Sequence, residues 1–113
     1  MSFQVTDPNK THGTCLIGYI EISPVNLIKK FGYPNMCDGY KVSGEYAFQD
    51  ENGDVFTLYD WKYTTLYDSE NTYTPEEFWK LKHPMEFNIG GNSKDNLNKF
   101  KRFVKTARSE RTH

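Results

Sequence analysis

The segment Phe87-Asn88-Ile89-Gly90-Gly91-Asn92-Ser93 joins the end of an apolar run to two glycines and a serine suited to cap a helix. A strand that ends in glycines and turns into a helix leaves backbone N–H groups pointing outward. Glycine lets a ligand come close, and a helix start favours negative charge. Gly90, Gly91 and Ser93 are therefore expected to donate backbone hydrogen bonds to a phosphate, flanked by Asn88 and Asn92 and with Lys94 beside them. The plainer alternative is a tight turn capped by Ser93 with nothing bound. The pattern is neither G-x-x-x-x-G-K-[ST] nor G-x-G-x-x-G, so it is neither of the standard nucleotide loops.

A second constellation is Thr57-Leu58-Tyr59-Asp60-Trp61-Lys62. Strand alternation places Tyr59 and Trp61 on one side and Asp60 and Lys62 on the other. With Lys41 and Glu45 on the neighbouring strand, Asp60 and Lys62 are expected to make a cross-strand charge network. That network is either a surface ion-pair cluster of little energetic weight or the polar floor of a ligand site. In the second case Tyr59, Trp61 or Trp79 offers a stacking face for a base, and Lys41, Lys62 or Lys94 supplies charge. Lys62→Ala combined with a bulky residue at Gly91 is then expected to abolish binding without unfolding the domain.

Other chemistries find less support. His12, His83 and His113 are scattered, and none has a second ligand four residues away. Asp50-Glu51-Asn52-Gly53-Asp54 begins like a calcium loop, but Val55 and Trp61 occupy its sixth and twelfth positions, so it is read as a hairpin turn. Cys15 lies in an apolar strand and is expected to be a buried, inert thiol; Cys37 lies in a loop with no base marked for it. A paired-carboxylate hydrolase needs a cleft that 113 residues rarely provide. No catalytic residue, metal or cofactor is assigned, and binding is favoured over catalysis.

These residues must be positioned by one domain, since 113 residues and 13.2 kDa leave no room for two cores. Aromatic residues make up 16% of the chain, enough for a dense core or an aromatic-lined pocket. The longest apolar runs are too short to span a membrane, the start lacks a signal-peptide pattern, and two cysteines do not make a disulfide scaffold. A cytoplasmic protein with reduced thiols is expected. Its net charge of −1 hides an asymmetry: residues 94–111 carry +5 and residues 1–93 carry −6. The basic stretch could attract a phosphate backbone, but the acidic body would repel the same polymer, so nucleic acid is not favoured as a partner.

Thr14–Ile22 alternates with apolar residues on both faces, as in a central strand. Ser23-Pro24 caps and opens a helix that Gly32 stops. A loop over Tyr33–Gly39 leads to a strand Tyr40–Gln49, and Asn52-Gly53 turns it into a second strand, Val55–Tyr63. Residues 64–76 read as a long loop, either a lid or a loose connection. Pro75–Leu81 gives a turn or two of helix, Met85–Ile89 a short strand, and a helix with Leu97, Phe100, Val104 and Ala107 on one face begins at Ser93. The expected fold is α+β: a mainly antiparallel sheet of about four strands with helices on one face. Residues 1–13 form a flexible arm, 14–108 the domain and 109–113 a tail.

Phe31-Gly32-x-Pro34, Asp38-Gly39-x-Lys41-Val42-x-x-Glu45-Tyr46, Thr57-Leu58-Tyr59-Asp60-Trp61-Lys62 and Ile89-Gly90-Gly91 together resemble a family of small uncharacterised proteins of bacteriophages and large DNA viruses. The likeness spans residues 14–107. Members of that family carry Trp-His before Ile-Gly-Gly where this chain has Phe87-Asn88, which speaks against a histidine-based activity here. The resemblance implies a virus-encoded protein at work in the host cytoplasm. The leading expectation is a non-enzymatic binding protein, a homo-oligomer that sequesters a small phosphorylated ligand such as a host-defence signalling nucleotide. The alternatives are a module that inhibits a host protein through its acidic hairpin or basic C-terminal helix, and a small nucleotide-acting enzyme.

Overall fold

The computed structural model describes residues 3–6, 14–36, 44–61, 70 and 73–107. Its elements in order are β1 (Phe3–Val5), β2 (Cys15–Ile22), α1 (Pro24–Phe31), β3 (Asn35–Met36), β4 (Gly44–Asp50), β5 (Val55–Tyr59), α2 (Pro75–Phe78), β6 (Met85–Gly91) and α3 (Leu97–Thr106). The strands form one antiparallel sheet in the order β1-β4-β5-β6-β2, and the short β3 also pairs with β4. The fold is α+β.

Local chemistry explains the elements. Ser23 accepts a hydrogen bond from the Asn26 N–H, Pro24 opens α1, and Gly32 at φ 80° closes it by donating its N–H to the Ile28 carbonyl. In the β4–β5 hairpin Asp50 Oδ1 accepts from the N–H groups of Asn52 and Asp54, both at 2.9 Å, and Gly53 takes the positive φ of 88°. The calcium-loop look of this segment is thus the chemistry of a tight turn. Thr74 and Glu77 satisfy each other's backbone N–H groups in a capping box that starts α2.

One face of the sheet carries the core. Tyr46 and Phe48 of β4, Phe56 and Leu58 of β5, Phe87 and Ile89 of β6, and Ile20 and Ile22 of β2 are buried against Leu27, Phe78, Phe100 and Val104 from the helices. Phe100 stacks on Phe56 with ring centroids 4.7 Å apart and meets Phe48 edge-on at 5.5 Å. Lys30 ties α1 to α3: its Nζ donates to the carbonyls of Val104 and Lys105 at 2.8 and 2.7 Å, satisfying the end of α3 with a cation.

The fold departs from the sequence expectation at several points. Phe3–Val5, which lies within the expected flexible arm 1–13, pairs with β4 and places Phe3 in the core. Three residues were too few to show a period. Cys15–Ile22 is the end strand of the sheet and not a central one, and Cys15 is exposed. Leu16 and Tyr19 are likewise exposed, whereas Ile17 packs against the core. The strand β6 runs on through Gly90 and Gly91, and α3 begins at Leu97, four residues later than Ser93. Residues 37–43, 62–69, 71 and 72, with Cys37, Lys41, Lys62 and most of the 64–76 loop among them, lie outside the described residues.

Candidate ligand-binding site

The strand registers define what lies on the face away from the helices. Glu45, Tyr59, Asn88 and Tyr19 stand side by side across β4, β5, β6 and β2, and Ala47, Thr57, Gly90 and Leu16 form the row next to them. On the other side of the first row, Glu86 of β6 pairs with Glu21 of β2, and Trp61 follows β5 with a two-residue offset from Tyr59. A β-bulge between Leu16 and Gly18 puts Leu16 on the same face as Tyr19, which simple alternation would forbid.

Leu16, Tyr19, Tyr59, Trp61, Glu86 and Asn88 line a hollow of about 420 Å³ on this face. Its aromatic walls are open to solvent: Tyr19 is 48% and Trp61 41% exposed, and Leu16 beside them is 45% exposed. Tyr59 and Trp61 meet edge-to-face at 6.2 Å, so the two rings present differently angled surfaces. Asn88, only 8% exposed, lies at the floor. Burial pushes the Tyr59 phenol up, a hydrogen bond from Asn88 partly offsets this, and Glu45, Tyr19 and Cys15 add smaller upward contributions. The Tyr59 hydroxyl therefore sits at the centre of the polar row and stays protonated at neutral pH.

Burial also raises the Glu45 carboxyl above the ordinary glutamate range. The folded state then holds this proton more tightly than the unfolded chain does, so stability falls as pH rises through the interval above the ordinary value. Once ionised, Glu45 carries a desolvation cost in the folded state. Glu45→Gln is expected to raise the urea midpoint at pH 7 and to leave it unchanged or lower at pH 4. A midpoint that drops equally at both pH values would instead mean that the carboxylate makes a stabilising contact.

A second hollow of about 560 Å³ shares Tyr19 and Glu86 with the first and continues over the open edge of β2. Its further walls are Ile20, Glu21 and three bases of α3, Lys101, Arg102 and Lys105.

Of the residues singled out from the sequence, the fold brings Glu45, Tyr59, Trp61, Asn88 and Gly90 together on this face. The others part company. Gly90 and Gly91 lie inside β6, paired with β5 on one side and β2 on the other, so the ladders take up their backbone and no phosphate loop exists there. Asn92 accepts from the Val55 N–H at 3.4 Å, and Ser93 accepts from the Asp95 N–H at 3.0 Å, so both serve the chain itself. Lys94 is exposed in the turn before α3. Trp79 is only 5% exposed and packs in the core against Tyr46, Phe78 and Phe87, so it offers no stacking face. Asp60 is fully buried and accepts from the Gly44 N–H at 3.0 Å; Glu45 pairs with Tyr59, on the opposite face. Asp60 and Glu45, expected in one charge network, thus lie on different sides of the sheet; its lysines, Lys41 and Lys62, are outside the described residues.

Sequence reasoning missed Leu16, Tyr19, Glu21, Glu86 and the α3 bases as neighbours of the site. Tyr19 carried a signal, a large aromatic on the less apolar side of its strand. The bulge that brings Leu16 beside it carried none.

Compared with known proteins, the chain matches no family model, and no curated protein is significantly similar to it. Among the described residues, no helix is long and apolar enough to cross a membrane.

Proposed function

We propose that this is a non-enzymatic binding protein whose ligand carries a planar aromatic ring, held on the open face of the sheet. The observation that carries the reading is the hollow walled by Tyr19, Tyr59 and Trp61 with the Asn88 amide at its floor. Ring faces bind a planar heterocycle by stacking whatever its identity. An amide that both donates and accepts reads the heterocycle's hydrogen-bonding edge. A nucleobase fits both demands. The resemblance to virus-encoded proteins supports a role in the cytoplasm of an infected cell, where the ligand would be a signalling nucleotide of host defence and binding would sequester it.

The two tryptophans make a built-in assay. Trp61 is exposed beside the hollow and Trp79 is buried in the core, so ligand binding is expected to change the emission of Trp61 alone. Titration with nucleosides, nucleotides and cyclic dinucleotides should give a saturable change that Trp61→Phe removes. Tyr59→Ala should weaken the binding by roughly 5- to 150-fold, the worth of about 1–3 kcal/mol per stacked base. If no member of the panel binds at millimolar concentration, the reading falls.

A second reading rests on β2, which presents an eight-residue edge at the end of the sheet. Such an edge can take a strand from a host protein or from a second copy, forming a homo-oligomer. It predicts association that Tyr19→Ala leaves intact and a proline at Tyr19 abolishes.

A further inference from the structure

We infer that the ligand is a ribonucleotide whose sugar lies against Glu86 and Glu21 and whose phosphate is held by Lys101, Arg102 and Lys105 of α3. This rests on the ring-binding reading above and extends it along the molecule. The two hollows adjoin at Tyr19 and Glu86, which line both. Each is of the size that small-ligand sites occupy. Their linings differ from one to the other: aromatic rings and an amide in the first, the Glu86 carboxylate shared, and Glu21 with three cations of one helix in the second.

That difference matches a nucleotide read from base to phosphate. A carboxylate is acceptor-only and suits the 2′ and 3′ hydroxyls of ribose, the role acids take in dinucleotide sites. The same two carboxylates repel phosphate from the middle of the groove, so the phosphate goes to the far end. Lys101 and Lys105 are one helical turn apart and Arg102 adjoins Lys101, so three cations converge on one rim. Residues 1–93 carry −6 overall, and the basic α3 is where an anion is steered. The sequence assigned the phosphate to the glycines of β6; the fold moves it to the third helix.

The experiment is isothermal titration of the full chain with the four ribonucleosides, their 5′-mono- and triphosphates, and the 2′-deoxy forms. The expected result is that adding phosphate tightens binding of the preferred nucleoside by roughly 10-fold or more, as charge-assisted hydrogen bonds to a phosphate do. A triple variant, Lys101→Gln with Arg102→Gln and Lys105→Gln, should bind the nucleotide no more tightly than the nucleoside while leaving nucleoside affinity unchanged. The 2′-deoxy form should bind more weakly, and Glu86→Gln should erase that difference. Nucleoside binding that phosphate does not improve, or that the triple variant does not separate from nucleotide binding, overturns this inference and leaves the ring site standing. Failure of every nucleoside and nucleotide to bind overturns both. A hexaribonucleotide that binds more tightly than any mononucleotide would assign the groove to a polymer and overturn the small-ligand form.

Discussion

Phe100→Ala is expected to lower the free energy of unfolding by about 3–5 kcal/mol, the usual cost of emptying a buried phenylalanine site. Phe100 is fully buried on α3 and touches four other rings: Phe56 at 4.7 Å, Phe3 at 5.4 Å, Phe48 at 5.5 Å and Phe103 at 6.3 Å. These rings come from β1, β4, β5 and α3 itself, so one side chain joins the first strand, the central hairpin and the last helix. Rings fixed from three directions cannot collapse into the space that alanine leaves. A domain of this size is stable by roughly 5–15 kcal/mol in all, so the loss is a large part of the total. Urea unfolding should show a lower midpoint with an unchanged slope. Phe100→Leu, which keeps most of the volume, should lose less than half as much. A loss under about 1 kcal/mol for the alanine variant would mean that α3 is not docked as described.

How legible this molecule was in its sequence depended on how locally each feature is encoded. Helix α1 and the β4–β5 hairpin were readable because their signals lie within a few residues: Ser23-Pro24 and Gly32 for the one, Asn52-Gly53 for the other. The Tyr59 and Trp61 face was readable because alternation within a strand is strict. What could not be read was which strand lies beside which. Glu45 was grouped with Asp60 when its register partner is Tyr59, one residue away and on the other face. Trp79 and Trp61 look equivalent as residues, yet one is sealed beneath Tyr46 and Phe87 and the other lines an open hollow. The bulge in β2 and the pairing of Phe3 with Asp50 likewise exist only once distant segments have met. The composition could not choose between aromatic core and aromatic pocket because the chain builds both, one on each face of the sheet.

The glycines of β6 give the sharpest test of that distinction. If Gly90 and Gly91 formed a phosphate loop, larger residues there would block a ligand and leave stability alone. In the fold they are interior strand residues, and a Cβ at Gly90 would lie 2.4 Å from Thr57 Oγ1 and 3.6 Å from Tyr59 Cε1. Thr57 is buried and β-branched, so its hydroxyl has little room to turn aside. Gly90→Val is therefore expected to destabilise the protein by about 1–3 kcal/mol through overpacking. At Gly91 the added carbon would meet Ile17 Cδ1 at 2.6 Å, the far end of a flexible side chain beside the β2 bulge, so Gly91→Val should cost less than Gly90→Val. The cause can be isolated by a double-mutant cycle between Gly90→Ala and Thr57→Ala. Removing the Thr57 hydroxyl should recover most of what the Gly90 methyl costs, with a coupling of roughly 0.5–3 kcal/mol. Coupling near zero would show that the two positions do not touch. A Gly90→Val protein as stable as the parent would return both glycines to an open turn.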